Sequence, residues 1–193
     1  MATYFQTCSR NYADVSITPE GIDTIQFLEA TEGLVKIFDK FGAVFSVVQN
    51  DMNGNIKKIR DRYDQNPVMN STLQNLVRGE QPEKKKTATE GLLWLTRGLD
   101  FTLQSLERSQ AHPEEELSVS FTKGYEGTLR PHHGMFIRPI FSAAMKACPY
   151  RNDFYTALGD DQAVVGQDLT IWLGGLNKVV VNIQEFYTAN KLN

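Results

Sequence analysis

The stretch T87-A-T-E-G-L-L-W-L-T-R-G-L-D-F-T-L-Q-S-L-E-R-S-Q110 decides the fold class. Leu92, Leu95, Leu99, Leu103 and Leu106 recur at steps of three and four, so a helix gathers all five on one stripe. Alternation with period two is absent. His112-Pro113 ends the pattern, because proline and the residue before it leave the helical conformation.

Working outward, the same periodicity extends in both directions. Upstream, the polar connection 79–86 (GEQPEKKK) is preceded by a short helix that Ser71 can cap, running to about Gly79. Before that, a helix spans about Ala43 to Gln65, with Val44, Val48, Met52, Ile56, Ile59 and Tyr63 at helical spacing, and Asn66-Pro67 ends it. The first helix is expected from Ile22 to Phe41, with Thr18 as its cap and Pro19 in its first turn. Downstream, Glu114-Glu115-Glu116 supplies acids for a helix reaching about Leu129. Further helices are expected over His132 to Lys146 with a kink at Pro139, over Asn152 to Leu158, and over Gln167 to Asn190. In the last, Leu169, Leu173, Leu176, Val180, Ile183 and Tyr187 alternate steps of four and three. The expectation is an all-α chain of about eight helices in a single domain over residues 1–193, with 1–17 unassigned.

Composition narrows the function. The chain has 193 residues, 41% hydrophobic and 10% aromatic, which is too apolar for a disordered segment. Its net charge of -3 argues against a nucleic-acid partner, since such proteins are usually basic. Two cysteines, Cys8 and Cys148, form no disulfide framework, and neither CxxC nor HExxH occurs, so no metal or cofactor is expected. The N-terminal residues carry no apolar signal segment, and no apolar run approaches the ~20 residues that span a bilayer. A cytoplasmic protein is the expectation.

Four places carry possible chemistry. Asp51, Asn55, Lys58 and Arg62 form a polar stripe about 100° from the apolar stripe of their helix. It mixes an acceptor, an amide and a donor, which suits a ligand bearing hydroxyl and amide groups; an ordinary solvated boundary has the same pattern. Trp94 stands between Gly91 and Gly98, and two glycines inside a helix cost about 1 kcal/mol each relative to alanine. Either another helix packs closely there, or Trp94 offers a flat face to a ring. His133 falls on an apolar stripe with Leu129, Phe136, Ile137 and Ile140, as a core histidine or as a donor at the mouth of a cavity. Lys84-Lys85-Lys86 is a solvated loop or a contact for anionic lipid. No serine or cysteine stands beside a histidine in a triad motif, so an enzyme is not expected.

Taken together these residues resemble the glycolipid transfer protein family. D51-M-N-G-N55-I-K-K58-I-R resembles its headgroup motif, and Y63-D-Q-N-P67 and T72-L-Q-N-L76 continue the likeness. G91-L-L-W94-L-T-R97-G-L99 resembles the helix bearing the family's sugar-stacking tryptophan. T122-K-G-Y125-E and H132-H133-G134 resemble the stretch ending in its headgroup histidine, and P149-Y150-R-N-D153-F154 is a further match. The resemblance covers roughly residues 20 to 190. Met135 departs from it, standing where many glycolipid binders place an aromatic.

The resemblance implies a two-layer, all-α sandwich in which the chains of a glycosphingolipid occupy an apolar cavity and the headgroup lies at the surface. It implies that Asp51, Asn55 and Lys58 bond sugar oxygens, that Trp94 stacks on the first sugar, and that His133 bonds the ceramide amide carbonyl while Asp51 accepts from the amide N–H. Phe38, Phe45, Val48, Tyr125, Leu129, Phe141 and Phe154 match positions at the chain cavity or its entrance. Exposing roughly 30 methylenes to water would cost about 24 kcal/mol at ~0.8 each, which is why a carrier needs such a cavity. The implied activity is non-enzymatic transfer between membranes, with transient contact at membrane surfaces. Two alternatives stay open: a carrier or sensor of phosphate-headgroup sphingolipids, where relatives carry a cation in place of Trp94, and a helical interaction module without transfer activity.

Overall fold

Thr87–Ala111 is one unbroken helix, and its five-leucine stripe is buried, in the computed structural model of the chain, which describes residues 2–192. In chain order the helices are α1 (Tyr4–Thr7), α2 (Thr24–Ile37), α3 (Ser46–Gln65), α4 (Leu73–Glu80), α5 (Thr87–Ala111), α6 (Leu117–Gly127), α7 (Ile137–Lys146), α8 (Arg151–Leu158) and α9 (Gln162–Ala189). The eight from α2 onward are the segments read from the sequence. They pack as a two-layer helical sandwich around α5, which lies against α3, α4, α6 and α9. One contiguous apolar core runs through it.

The ends of several helices differ from expectation. Thr18-Pro19 does not start a helix. Pro19 and Glu20 turn a small hairpin between β1 (Ile17–Thr18) and β2 (Gly21–Ile22), where Gly21 adopts φ 138°. Ile22 N donates to Gln74 Oε1 at 2.8 Å, tying the hairpin to α4. Asp23 is the true cap, accepting from Gln26 N at 2.9 Å. Phe38–Phe41 and Ala43–Phe45 tighten into 3-10 turns about Gly42, which turns Val44 outward and Phe45 inward. Thr72, not Ser71, caps α4 through Asn75 N. Pro139 causes no kink because it is the third residue of α7, where no backbone N–H is required.

The unassigned N-terminal segment joins the core. Phe5 and Tyr12 are buried against Trp172 of α9, each with ring centroids 5.5 Å away, and the Tyr12 hydroxyl donates to Thr31 Oγ1 at 2.9 Å. Gly175 makes this approach possible: a Cβ there would overlap the backbone of Tyr12 and Ala13. Backbone cannot swing aside as a flexible side chain does. Gly175→Ala is therefore expected to cost about 1–3 kcal/mol by overpacking, read as a lower Tm. An unchanged Tm would mean that the segment does not seat on α9.

Candidate functional site

Asp51, Asn55 and Lys58 occupy successive turns of α3 and meet at the edge of the core. Asn55 is only 3% exposed although polar, and its Oδ1 accepts from Lys58 Nζ at 3.0 Å. Lys58 is solvent-exposed. The Asp51 side chain reaches solvent, yet burial of its carboxyl raises its pKa and the Lys58 ammonium partly offsets that. Its carboxylate accepts no hydrogen bond from the described residues. The stripe therefore presents a free acceptor, a half-used amide and a cation on one surface.

The two glycines of α5 settle which partner approaches them. A Cβ on Gly91 would stand 3.1 Å from Lys58 Cβ and Cδ and 3.5 Å from the Asn55 carbonyl oxygen; one on Gly98 would meet Met52 at 3.6 Å. Both glycines let α3 pack closely. That packing carries the polar stripe to within one turn of Trp94, which is half-buried. Among the described residues two rings and a cation lie against Trp94: the His133 ring, near-parallel at 6.0 Å; the His132 ring, edge-on at 6.4 Å; and the Arg97 guanidinium carbon, 4.7 Å from its centroid.

His133 does not lie on a helical apolar stripe. Pro131 stops α6 from continuing, so residues 128–136 form turns, with His133 N donating to Leu129 O at 3.2 Å. Phe136, Ile137 and Ile140, expected on that stripe, are exposed, Phe136 to 83%. The turn is pinned by Arg138, whose Nε donates to the His133 carbonyl at 2.8 Å and to the Arg130 carbonyl at 3.2 Å. His133 itself is only 9% exposed. Its ring packs 4.5 Å from Phe141 and its Nδ1 lies 3.2 Å from the Tyr125 hydroxyl. Burial lowers its pKa, and the neighbouring His132 and Arg138 lower it further, so the imidazole is neutral near pH 7. In the tautomer whose Nδ1 accepts from the Tyr125 hydroxyl, the proton sits on Nε2, which has no partner among the described residues.

Phe38, Phe45, Val48, Tyr125, Leu129, Phe141 and Phe154 are all buried and belong to one contiguous apolar cluster. Tyr125 stacks on Phe141 at 5.7 Å, and Phe38 on Phe45 at 5.5 Å. Two residues that the sequence did not single out centre this cluster: Phe41 lies 4.6 Å from Phe45 and 4.9 Å from both Phe121 and Phe154. The available signal was the run of phenylalanines at 38, 41 and 45, spaced three and four. His132 is exposed, and its contact with Trp94 is one that the sequence did not single out. A cluster of His112, Glu114 and Glu115 has its ligand atoms within 4.8 Å, but Arg108 holds Glu115 at 2.5 and 2.9 Å, which makes it an ion-pair corner at the surface. No helix among the described residues is long and apolar enough to cross a membrane.

Residues 22–160 match the glycolipid transfer protein (GLTP) family. Over 190 residues the chain is 50% identical to a glycolipid transfer protein of Aureobasidium melanogenum, covering 98% of this chain and 94% of that one. It is 33% identical over 205 residues to pleckstrin homology domain-containing family A member 8 of Mus musculus, covering 98% of this chain but 39% of that longer protein. The solved structure of a fungal glycolipid transfer protein, HET-C2, superposes with a TM-score of 0.92 at 45% identity over 96% of this chain and 97% of that one. A structure showing how FAPP2 selects simple glycosphingolipids superposes at 0.91, with 32% identity over 99% and 97%.

Proposed function

The chain belongs to the glycolipid transfer protein family, and we propose that it carries a glycosphingolipid between membranes, with the sugar held at Asp51, Asn55, Lys58 and Trp94 and the ceramide amide at His133. Members of this family are lipid transfer proteins, not enzymes. The observation that carries the assignment is the position of His133, whose ring lies beside Trp94 on the polar side and Phe141 on the apolar side. A ceramide lipid has the same order: sugar, amide, hydrocarbon. Nε2–H of His133 donates to the amide carbonyl and the Asp51 carboxylate accepts from the amide N–H, so neither is left unpaired at a cost of several kcal/mol. The lipid chains part the rings of the phenylalanine cluster and occupy the space between the layers.

Loading requires contact with a membrane. Met135 and Phe136, 73% and 83% exposed, and Ile137 and Ile140 project from the turn and helix beside His133, with Tyr150 exposed as well. Large apolar side chains at the mouth of the site offer a surface that enters the interfacial layer of a bilayer. The carrier is thus proposed to work from the cytoplasm, touching membranes transiently. A second reading, a carrier or sensor of phosphate-headgroup sphingolipids, is favoured by the Arg97 guanidinium, which has no carboxylate partner among the described residues.

The test is vesicle-to-vesicle transfer of galactosylceramide against ceramide phosphate, combined with tryptophan emission. Trp172 is buried beside Phe5 and Tyr12, whereas Trp94 lies at the proposed sugar site. Galactosylceramide vesicles are expected to shift emission in the wild type and in Trp172→Phe, with a much smaller shift and a severalfold weaker transfer in Trp94→Phe. A signal surviving in Trp94→Phe removes that residue from the headgroup; preferential transfer of ceramide phosphate selects the second reading; transfer of neither lipid leaves an interaction module.

A further inference from the structure

We propose that Arg138 is a positioning residue for lipid uptake: it holds the turn 130–138 so that His133 faces the core while Met135 and Phe136 face out. This rests on the carrier reading above and adds what keeps the ceramide contact and the membrane contact in register.

The turn begins where helical hydrogen bonding stops. α6 ends at Gly127, and the last carbonyls of a helix have no partner inside it. The chain then winds through overlapping turns. Arg130 N donates to Tyr125 O at 3.0 Å, His132 N and His133 N donate to Leu129 O at 3.0 and 3.2 Å, and Ile137 N and Arg138 N donate to Gly134 O at 3.1 and 3.2 Å. No backbone N–H of the described residues donates to the His133 carbonyl. Arg138 fills that place: its Nε donates to the His133 carbonyl at 2.8 Å and to the Arg130 carbonyl at 3.2 Å. A guanidinium suits this task, because its N–H groups are fixed in one plane and stay charged.

One side chain thus spans the turn, and the residues it encloses point opposite ways. His133 is buried with its ring against Phe141, whereas Met135 and Phe136, two and three residues on, are exposed. Gly134 between them has no side chain, and a Cβ there would meet nothing within 4 Å, so it anchors nothing. Drawing the apolar pair into a bilayer therefore pulls on the His133 backbone, and the two Arg138 bonds resist that pull. Phe141 lies three residues along α7 from Arg138, on the same face. A single helix accordingly holds His133 by its backbone and by its ring. Arg138 is itself exposed and makes no ion pair among the described residues, so these carbonyl bonds are the polar contacts a substitution removes.

Vesicle-to-vesicle transfer of galactosylceramide and of ceramide phosphate by the full-length chain tests this, with Trp94 emission read in the Trp172→Phe background. Arg138→Met removes the donors but stays apolar and similar in length, so weaker entry into the bilayer does not mimic its effect. It is expected to lower transfer of whichever lipid the wild type carries roughly tenfold per folded molecule. It is also expected to shift Trp94 emission in the lipid-free protein, because the His133 ring stacks on that indole at 6.0 Å. Arg138→Lys, which keeps a charged donor, should restore part of both. In the His133→Leu background Arg138→Met should add no further loss, since a residue that works through His133 then has nothing to position. Should Arg138→Met fail to fold, Arg138→Gln is read against the same outcomes. Wild-type transfer by the variant overturns the proposal, as does lowered transfer with unchanged Trp94 emission. A loss that persists in full beside His133→Leu overturns it too, and makes Arg138 an independent bilayer contact. Failure of the wild type to transfer either lipid overturns the carrier reading instead, and shows before any variant is made.

Discussion

Asp51→Ala is expected to lower galactosylceramide transfer about a hundredfold while leaving helical circular dichroism unchanged. The carboxylate is proposed to accept two charge-assisted hydrogen bonds, from a sugar hydroxyl and from the ceramide amide N–H. At roughly 1.5 kcal/mol for each, their loss amounts to about 3 kcal/mol, or two orders of magnitude. Nothing in the folded chain depends on this carboxylate in return, because no described residue donates a hydrogen bond to it. Stability should even move the other way. Burial raises the Asp51 pKa above its ordinary value, with Lys58 opposing the rise. An acid whose folded pKa is raised stabilises the fold only while protonated, and that contribution is lost as pH rises through the folded pKa. At pH 7 the folded protein thus holds a charge it partly disfavours, and Asp51→Asn should melt at or slightly above the wild-type temperature while transferring poorly. Differential scanning and vesicle transfer on the same preparation check both halves. Wild-type transfer by well-folded Asp51→Ala would take Asp51 out of the headgroup site.

That trade between binding and stability is visible in the sequence as a seam, and it shows where sequence reading reaches and where it stops. Helical periodicity locates Asp51, Asn55 and Lys58 on one face and the leucines of α5 on another, because one helix fixes those relations by itself. It does not say which surface fills the gap beside Gly91 and Gly98; that requires the packing of α3 on α5, which unites two stripes 36 residues apart (Asn55 and Gly91). Capping residues mislead where two signals compete. Thr18-Pro19 has the chemistry of a helix start, but Gly21 follows, and a backbone at φ 138° belongs to a turn. His133 is the clearest case. Apolar neighbours at helical spacing suggested a stripe, whereas Pro131 unwinds the segment and turns Phe136 outward while His133 turns inward. The N-terminal segment has no periodicity to read, and its place is set by a contact between Gly175 and Ala13, remote in sequence.

His133→Leu is expected to keep the fold and weaken binding of every ceramide lipid by about 2 kcal/mol, roughly thirtyfold, whatever the headgroup. The site is apolar on the Phe141 side, so leucine is tolerated; the Nε2–H donor is lost. Tyr125 supplies the internal control. Its hydroxyl lies 3.2 Å from Nδ1 and is proposed to act on the lipid only through the imidazole, by donating to Nδ1 and so keeping the proton on Nε2. Tyr125→Phe should cost less, about 1 kcal/mol, and nothing further in the His133→Leu background, giving a coupling energy close to its full single-mutant effect. Acid supplies a second readout. The folded His133 pKa is depressed by burial, then by His132 and Arg138. Below the ordinary histidine value near 6.5 the unfolded chain takes up a proton that the folded chain refuses, so stability present above that pH is lost as pH falls toward and through the folded pKa. His133→Leu should therefore lose less Tm between pH 7 and pH 5 than the wild type, the remaining slope including His132, whose pKa is also lowered. If Tyr125→Phe and His133→Leu instead add independently, and lipid affinity per folded molecule is unchanged in both, His133 is a core histidine and the ceramide amide is bound elsewhere.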